Sequence, residues 1–346
     1  MAKSFKQYTV QGTGFDNLAL VEVPLPTLKA NEVLVKIKAG SLQFRDLMVT
    51  SGTYPPPLLP NVVPCSDGAG EIVAIGEDVK TWKVGARVVS NFFLDHHHAE
   101  GMTPEIAKTA LGGASHGVLA EYRAFPEHSL LEIPAHLSYE EASTLPCAAL
   151  TAYNGLIYGF EPLKAGDTVL IQGTGGVSIF ALQFAVASGA TTIVLSSSDE
   201  KLAAATKLGA KHVINYNTTP EWAKEAKKLT NGRGVDRVVE VVGNATLARS
   251  FEAVRMGGSI DIIGLLGEGP EAPAVSIIGP AIGKQLKIRG IYVGSVSQFQ
   301  AMNRLLASNP ETTRPVIDKV FPFAEAKDAF GYLKSQKHVG KVVIQV

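Results

Sequence analysis

A short glycine-rich loop at residues 173–178 has the composition of a phosphate-binding turn. It follows the apolar run TVLIQ and precedes a helical pattern that starts near residue 177. Because glycines carry no side chain, backbone N–H groups can approach a diphosphate, and the helix N-terminus adds roughly half a positive charge. Ser178 stands where a third glycine is usual. The predicted dinucleotide-binding residues of this loop are Gly173, Thr174, Gly175, Gly176 and Val177.

The end of the next predicted strand indicates which dinucleotide is bound. NAD-binding chains usually place a carboxylate there for the ribose 2′-hydroxyl. Here strand 192–195 is followed by Ser196, Ser197 and Ser198, and Lys201 lies one helical turn into the next helix. Hydroxyls can donate to a 2′-phosphate and a lysine can neutralise it, whereas a carboxylate would repel it. This pattern favours NADPH over NADH, although the serines could also serve only as a helix cap.

Strands and helices alternate regularly around this loop. Strands are predicted at 168–172, 192–195, 212–214, 237–242 and 259–263, and helices at 177–188, 199–208, 221–229 and 246–255. Such βαβ units close right-handed and place a parallel sheet between helix layers. The middle of the chain is therefore predicted to be α/β, with a doubly wound parallel sheet of the Rossmann type.

The first third of the chain has a different pattern, with short strands at 33–37, 69–75 and 87–89 between turns rich in Gly and Pro. After residue 291, a helix near 297–307 and a final strand at 341–345 are too short to form a domain. We expect them to return to the first module. The predicted domains are a mainly β domain at residues 1–133 and 296–346, and a dinucleotide-binding domain at residues 134–295.

Length and composition narrow the class of function. A chain of 346 residues exceeds the size at which one core stops growing, so two domains are expected. Charged residues make up 18% and cancel to a net charge of zero, which leaves no basic field for nucleic acid or an anionic membrane. No apolar run is long enough to span a bilayer, and the N-terminus lacks the pattern of a signal peptide. We therefore expect a cytoplasmic protein that acts on a small molecule.

Several segments together resemble the medium-chain dehydrogenase/reductase superfamily, specifically its zinc-type alcohol-dehydrogenase-like and quinone-oxidoreductase branches. The matching segments are NVVPCSDGAG at 61–70, the loop 173–178, residues 196–201, VINY at 213–216 and GKVVI at 340–344. The resemblance covers essentially the whole chain. It implies a GroES-like catalytic domain joined to a Rossmann domain, and hydride transfer as the chemistry.

The resemblance also implies roles for individual residues around the cofactor. Some match positions that hold the 2′-phosphate in NADPH-using members, and others match loops on the nicotinamide side or segments that complete the cofactor site. The expected contacts are Ser197, Ser198, Lys201 and Tyr216 for the phosphate pocket, Gly243, Gly264 and Leu265 for the nicotinamide side, and Thr151 and Lys341 elsewhere.

The zinc ligands of the family are largely missing. Gln43 stands in place of the first cysteine ligand and Ser66-Asp67 in place of the His-Glu pair, while Cys147 alone matches a ligand position. The four cysteines of the structural zinc site are absent from the sequence. Catalytic zinc normally has three protein ligands. The run at 96–98 (HHH) is predicted to be a solvated loop, because consecutive residues of an extended segment point to opposite faces. No metal site is predicted.

Hydride transfer leaves negative charge on the substrate oxygen, and something must stabilise it. Without a metal, hydrogen-bond donors remain, each typically worth ~10²- to 10³-fold in rate. The candidates are Tyr54, which matches a tyrosine that lines the active site of quinone-oxidoreductase relatives, and Gln43 with Arg45. Alternatively, Tyr54 packs against the following prolines and Arg45 pairs with Asp46 to order the loop. Cys147 is expected to be a buried, inert thiol.

The predicted function is therefore NADPH-dependent, zinc-independent hydride transfer to a quinone or an α,β-unsaturated ketone or aldehyde. Conjugation already activates the accepting carbon of such substrates, whereas a simple alcohol must first form an alkoxide. Two alternatives stay open: an NADP-dependent alcohol dehydrogenase or ketone reductase, and a non-catalytic NADPH-binding sensor or structural protein. By analogy with the family, we expect a homodimer, with the apolar stretch 288–293 at the edge of the Rossmann sheet as its interface.

Overall fold

A computed structural model describes residues 3–55, 57–264 and 274–346. The chain forms two compact units, the first comprising Met1–Leu150, Val293–Pro310 and Arg314–Val346, and the second Thr151–Tyr292 and Glu311–Thr313. The predicted cofactor residue Leu265 lies outside the described residues. Within those residues, no helix combines the length and the apolar character needed to cross a bilayer.

The first unit is built on a seven-stranded sheet in which β14, β15, β3, β4, β5 and β7 follow one another and β6 also pairs with β3. A separate two-stranded ribbon contains β1 and β2. The strands are β1 Ser4–Val10, β2 Leu18–Pro24, β3 Glu32–Ser41, β4 Asp67–Ile75, β5 Arg87–Ser90, β6 Tyr122–Pro126, β7 Leu130–Glu132, β14 Ile317–Pro322 and β15 Lys341–Gln345. The helices are α1 Phe44–Ser51, α2 Pro104–Ala107, α3 Tyr139–Ser143, α10 Val296–Ser308 and α11 Ala326–Lys334, with a π-helical turn at Leu145–Ala149.

Strand β3 is the centre of this unit because it pairs with β4, β6 and β15. Val35 and Ile37 alternate toward the main core, as residues two apart in a strand should. The neighbouring Leu34 is buried as well, so both faces of the strand are covered there. Since β15 pairs with β3, the end of the chain returns to the first sheet.

Residues 134–150 belong to the first unit by their contacts, although the sequence pattern placed them in the dinucleotide-binding domain. Helix α3 packs against β3, β4 and β15 of the first sheet. The change from strand-like to helical patterning near residue 139 is therefore not the boundary between the units. Helices begin near residue 139, but the chain stays in contact with the first unit until residue 150.

The expectation of only one helix and one strand after residue 291 was wrong, because β14 and α11 also lie there. Strand β14 is at the sheet edge, where its residues are mostly exposed and the strand ends in Pro322, so it carries little apolar signal. Helix α11 contains Gly331, which weakens its intrinsic helical preference. Its position is fixed by burial of Phe330 and Leu333 in the core.

The second unit contains a six-stranded, all-parallel sheet in the order β10–β9–β8–β11–β12–β13. Numbered by appearance, this is the 3-2-1-4-5-6 order of the Rossmann fold, which confirms the predicted doubly wound α/β sheet. Its strands are β8 Thr168–Gln172, β9 Thr191–Ser196, β10 His212–Asn215, β11 Val235–Glu240, β12 Val254–Ile262 and β13 Lys287–Gly290. The helices are α4 Leu150–Ile157, α5 Gly176–Ala187, α6 Asp199–Lys207, α7 Trp222–Leu229, α8 Asn244–Ala253 and α9 Ile278–Gly283.

Strand β11 ends two residues earlier than the apolar pattern predicts. The amides of Val242 and Gly243 donate to the side chain of Glu240 instead of continuing a ladder. All strands of the sheet run the same way, so the loops after β8, β9, β11 and β12 lie at one edge. Ligands of such sheets bind at this carboxyl edge, between β8 and β11. There the order in which successive strands are added to the sheet reverses.

Candidate active site

The glycine loop after β8 is shaped to receive a ligand. Gly173 has a φ of +75°, a left-handed conformation that glycine adopts readily, and its amide donates to the carbonyl of Leu195 at 2.7 Å. Gly175 is the N-cap of α5, and a Cβ added there would meet no atom within 4 Å. Open space therefore lies beside the first amides of a twelve-residue helix, as a bound diphosphate requires.

Ser178, at the position of the usual third glycine, leaves this space open. Its hydroxyl donates to the carbonyl of Gln172 at 2.6 Å, and the residue is 3% exposed. The side chain is therefore turned back toward β8 and is satisfied there. The departure from the glycine pattern is compatible with the predicted cofactor loop.

The serines after β9 divide into a cap and an exposed residue. Ser198 is the N-cap of α6 and accepts from the amide of Lys201 at 3.4 Å. Ser197 is exposed, and its carbonyl accepts from the side chain of Asn217 at 3.2 Å. The amide of Tyr216 donates to the Ser196 carbonyl at 3.1 Å, which places this exposed tyrosine beside the serines. Ser198 thus caps the helix, while the adjacent Ser197 is exposed, as a residue of the predicted phosphate pocket should be.

A buried carboxylate, which sequence reasoning missed, fixes the loop after β11. Glu240 accepts hydrogen bonds from five donors, namely Gln172 Nε2 at 2.7 Å, Ser250 Oγ at 2.6 Å, Thr246 Oγ1 at 2.8 Å, and the amides of Val242 and Gly243 at 3.0 Å each. We call Glu240 and these donors the Glu240 network. It holds Gly243, a predicted cofactor residue, by its backbone.

Gly264 is required at its position by close packing. A Cβ added there would lie 1.8 Å from the carbonyl oxygen of Val241, closer than any real contact. The loops after β11 and β12 therefore lie side by side at the carboxyl edge of the sheet. The structure brings Gly173, Gly243 and Gly264 to that one edge, while Thr151 is a buried residue near the start of α4.

The first unit holds a second buried carboxylate, at the positions where zinc-containing relatives were expected to carry ligands. Asp67 Oδ2 accepts from Gln43 Nε2 at 2.6 Å and from the Cys147 amide at 3.0 Å, and Asp67 Oδ1 accepts from Ser66 Oγ at 2.5 Å. We call Asp67 with Gln43, Ser66 and Cys147 the Asp67 cluster. Cys147 lies in the π-helical turn, a feature often found at functional sites.

Lys341 is the cationic neighbour of this cluster. The residue is 3% exposed, and its ammonium donates to the Leu42 carbonyl at 2.5 Å. Burial lowers the pKa of Lys341, opposed by the charge of Asp67, and burial raises the pKa of Asp67, opposed by the charge of Lys341. Burial and the Asp67 charge also raise the pKa of Cys147, which agrees with an inert thiol. Lys341, predicted as a cofactor contact, is thus placed beside Asp67.

Helix α1 positions the predicted catalytic residues. Gln43 is its N-cap, and Asp46 completes the capping box by accepting from the Gln43 amide at 2.7 Å. The predicted Arg45–Asp46 ion pair is not found between these two described residues. Arg45 donates instead to the Leu111 carbonyl at 2.7 Å, and its guanidinium lies 4.7 Å from the Tyr54 ring and 4.8 Å from the Phe92 ring.

The three candidate donors, Gln43, Arg45 and Tyr54, have different neighbours in the structure. The Gln43 amide is engaged with Asp67, and Arg45 contacts the ring of Tyr54. Gly113 leaves room for Arg45, because a Cβ there would lie 2.4 Å from its Nη2. Arg45 therefore positions Tyr54 by cation–π contact.

Comparisons with known proteins agree with this architecture. The family described as "Alcohol dehydrogenase GroES-like domain" matches residues 29–135, and "Zinc-binding dehydrogenase" matches residues 176–308. A zinc-type alcohol dehydrogenase-like protein of Schizosaccharomyces pombe is 48% identical over 96% of both chains. The chain is a medium-chain dehydrogenase/reductase. The predicted GroES-like domain and family resemblance are thereby confirmed, and the protein is an oxidoreductase of the nucleotide-dependent dehydrogenase family.

Other relatives of this dehydrogenase/reductase differ in the activity their names give. The acryloyl-coenzyme A reductase of Metallosphaera sedula is 30% identical, with 93% of this chain and 95% of the relative covered. The structure of an alcohol dehydrogenase candidate from Sinorhizobium meliloti 1021 has a TM-score of 0.92 at 36% identity, with both chains fully covered. The structure of a 2-octenoyl-CoA carboxylase reductase, in complex with NADP and 2-octenoyl-CoA, has a TM-score of 0.86 at 27% identity, covering 100% of this chain and 88% of that one.

The residues of the Asp67 cluster do not fit the catalytic zinc that the family name implies. Only two members are usual zinc ligands, Asp67, whose oxygens both already accept hydrogen bonds, and Cys147, whose pKa burial raises. Gln43 and Ser66 are neutral and poor zinc ligands, and the nearby Lys341 would repel a cation. A catalytic zinc needs about three protein ligands, usually Cys, His or a carboxylate. The glycine loop of the second unit, in contrast, fits a dinucleotide.

Sequence reasoning missed Glu240, did not anticipate that the predicted cofactor contact Lys341 is buried beside Asp67, and misjudged the histidine run. Glu240, which lies between Val239 and Val241 in a run of four valines, carried a sequence signal, since charged residues are rarely buried without partners. Lys341 gave a signal only through its place in an apolar strand. The histidine run was expected to be solvated throughout, but His96 is 4% exposed and packs edge-on against Phe93 with ring centroids 5.9 Å apart.

Proposed function

We propose that this dehydrogenase/reductase is an NADPH-dependent, zinc-independent enzyme that reduces a carbonyl-conjugated substrate, a quinone or an α,β-unsaturated carbonyl compound. The observation that carries the proposal is the Asp67 cluster, whose donors and buried lysine take the place of metal ligands. Two relatives support the substrate class, because one is named as an acryloyl-coenzyme A reductase and the other was solved with 2-octenoyl-CoA. We place the enzyme in the cytoplasm, where its two free cysteines would remain reduced.

NADPH supplies a hydride from the nicotinamide ring when it is bound. The amides at the start of α5 bind its diphosphate, and Ser197, Lys201 and Tyr216 bind the 2′-phosphate through hydroxyls and one positive charge. The Glu240 network holds the loop that contains Gly243 in place for the nicotinamide side. The NADP seen in the octenoyl-CoA relative supports this choice of cofactor.

In the first unit, the Tyr54 hydroxyl donates to the substrate oxygen as negative charge develops on it. Hydride from bound NADPH would add to the electron-poor carbon, the conjugated electrons would move to that oxygen, and a proton from water, passed through the Tyr54 hydroxyl, would complete the reduction. Arg45 keeps the Tyr54 ring in place through its planar guanidinium. Lys341 supplies a fixed positive charge beside Asp67, so the site is not left with an uncompensated buried carboxylate.

The proposal is tested by NADPH oxidation with a quinone, an enone and a secondary alcohol, on protein of measured metal content. We expect turnover of the quinone or enone that chelators leave unchanged. Tyr54→Phe should lower kcat by roughly 10²-fold without changing KM for NADPH, because it removes one donor to the developing charge. Tyr158→Phe, an exposed tyrosine, is the matched control. Turnover of the alcohol alone, abolished by chelation, contradicts the proposal.

A second candidate is an NADP-dependent alcohol dehydrogenase, which the name of the 48% identical relative favours. The same substrate panel separates it from the first candidate. A protein that binds NADPH but turns over none of the three substrates would instead be a sensor or a structural protein.

We also propose that the protein forms a homodimer through strand β13. Among the described residues this strand is at the edge of the six-stranded sheet, where it pairs on one side only, with β12. Light scattering should then give twice the monomer mass of 36.6 kDa. A lysine in place of Ile288 should shift the mass to that of the monomer, whereas an unchanged mass would place the interface elsewhere.

A further inference from the structure

A cluster of two histidines and one aspartate lies on the surface of the first unit. Asp95, His97 and His128 each offer one ligand atom, and these atoms lie within 4.8 Å of one another. Asp95 Oδ1 and His128 Nε2 are 2.8 Å apart, and the rings of His97 and His128 have centroids 4.7 Å apart. All three side chains are exposed, so ions can reach them from solvent.

The backbone on either side of this cluster is fixed by hydrogen bonds. The amide of Ser297 donates to the His97 carbonyl at 3.0 Å, and the amide of Asp95 donates to Thr109 Oγ1 at 3.4 Å. His128 belongs to the 3₁₀ turn Glu127–Ser129, whose last carbonyl accepts from the Asn91 amide at 2.8 Å. The three residues therefore converge because two anchored segments meet, which brings their ligand atoms within 4.8 Å of one another.

The run of three histidines contributes only one member. His96 is buried against Phe93, and His98 is exposed with its ring centroid 6.4 Å from that of His97. Alternation holds only for Asp95, His96 and His97, of which the middle residue is buried and the outer two are exposed; His98 is exposed as well. The missing ligands come from Asp95, two residues before His97, and from His128, about thirty residues further along the chain.

We infer that Asp95, His97 and His128 bind a divalent transition cation, with Zn²⁺ as the best fit. Two imidazoles and one carboxylate form a borderline donor set that suits Zn²⁺, Ni²⁺ or Cu²⁺ better than Mg²⁺ or Ca²⁺. Water completes the coordination, because all three residues are exposed. The carboxylate lowers the charge at the centre from +2 to +1, and each imidazole binds in its neutral form.

This site is separate from the Asp67 cluster and shares no residue with it. A cation bound there would join the segment 95–97 to the turn Glu127–Ser129 and would stabilise the folded first unit by mass action. It would act as a structural clip and would take no part in hydride transfer. Zinc found in the purified protein would therefore not by itself identify a catalytic metal.

The test is calorimetric titration of tag-free, metal-stripped, full-length protein with zinc chloride. We expect one equivalent to bind at micromolar concentration and the Tm to rise with added zinc. His97→Ala and His128→Ala should each weaken binding by at least about ten-fold, and Asp95→Asn by a comparable factor. His98→Ala is the matched control, an exposed histidine of the same run, and should bind as the wild type does. Reductase activity should be equal in all four variants.

Cobalt substitution gives a second readout that does not depend on folding of the variants. A site made of imidazole and carboxylate gives Co²⁺ ligand-field bands without the thiolate charge-transfer band that Cys147 would produce. Binding that is unaffected by the His97 and His128 variants, binding lost in Cys147→Ser, or binding only at millimolar zinc would each overturn the inference. An equal loss of affinity in His98→Ala would overturn the three-residue assignment.

Discussion

The Asp67 cluster and the Glu240 network use the same device in the two units. In each, a fully buried carboxylate accepts hydrogen bonds from neutral donors at the end of a sheet. Glu240 has five donors, two of them amides of its own following loop, whereas Asp67 has three donors and a buried lysine nearby. Glu240 thus holds the backbone of the loop that follows it, whereas Asp67 interacts with side-chain donors, one amide and the charge of Lys341.

The difference between them follows from how burial is compensated. A buried carboxylate without partners is very costly, and hydrogen bonds or an opposite charge must offset that cost. Five donors leave Glu240 well satisfied with no cation. Asp67 has fewer donors, and its pKa is raised by burial even though the Lys341 charge opposes the rise. Glu240 is therefore held by hydrogen bonds to its own loop, whereas the buried charge of Asp67 depends in part on the nearby charge of Lys341.

The largest expected effect comes from removing the carboxylate of the Glu240 network. Glu240→Leu strands the amides of Val242 and Gly243 and the Gln172 amide, each at a cost of ~1–3 kcal/mol, partly offset by relief of burying a charge. We expect the free energy of unfolding to fall by about 3 to 5 kcal/mol, measured by urea denaturation. Asp67→Asn should cost less, about 1 to 3 kcal/mol, because asparagine keeps an oxygen for Gln43 and the Cys147 amide although it removes the opposite charge beside the buried Lys341.

Glu240→Gln is the control for shape, and it should lie between the wild type and Glu240→Leu because it keeps one accepting oxygen. Equal destabilisation by Glu240→Leu and Asp67→Asn would remove the distinction drawn between the two carboxylates.

A second prediction concerns pH and the carboxyl group next to the Asp67 cluster. Burial raises the pKa of Asp46 from 3.8 to about 6, against the opposing charge of Arg45, and Asp46 Oδ1 has no hydrogen-bond partner among the described residues. The folded state therefore holds this proton more tightly than the unfolded state does. The resulting stability is present below about pH 4 and is lost as the pH rises to about 6. A rise of the Asp46 pKa from 3.8 to about 6 corresponds to about 3 kcal/mol of unfolding free energy.

Asp46→Asn removes this titration, so the difference in unfolding free energy between variant and wild type should grow in favour of the variant from pH 4 to pH 6. It should then stay constant above pH 6. Urea denaturation at several pH values measures it, and Asp318→Asn, at an exposed edge strand, is the control. A difference that does not change between pH 4 and pH 6 would show that Asp46 titrates normally.

The sequence predicts much of the second unit and little of the buried charge in the first. The strand TVLIQ at 168–172 and the glycine loop after it are local patterns, so spacing alone identifies them. The contact between Asp67 and Gln43 joins residues 24 positions apart, and Lys341 reaches Leu42 from the other end of the chain. Such contacts depend on which strands pair, and a single sequence does not give that. The proximity of His97 and His128 likewise joins residues 31 positions apart, which spacing alone does not predict.

A third, smaller effect tests how closely the loops of the second unit pack. Gly264→Ala places a Cβ against the Val241 carbonyl, which must move, and we expect a loss of about 2 kcal/mol in unfolding free energy. Gly279→Ala is the matched control, since a Cβ there meets no atom within 4 Å and alanine suits the helix α9, so a small gain is expected. Similar values for the two variants would mean that the loops after β11 and β12 adjust freely.

The smallest expected effect concerns the proposed 2′-phosphate pocket of the second unit. Lys201→Ala removes the charge proposed for the 2′-phosphate, and one charge-assisted hydrogen bond is worth about 1.5 kcal/mol or more, so KM for NADPH should rise by about ten-fold. KM for NADH, which lacks that phosphate, should stay unchanged. Lys207→Ala, in the last turn of the same helix, controls for a general loss of positive charge. An equal rise in both KM values would place Lys201 outside the phosphate pocket, and a wild-type preference for NADH would overturn the assignment of NADPH.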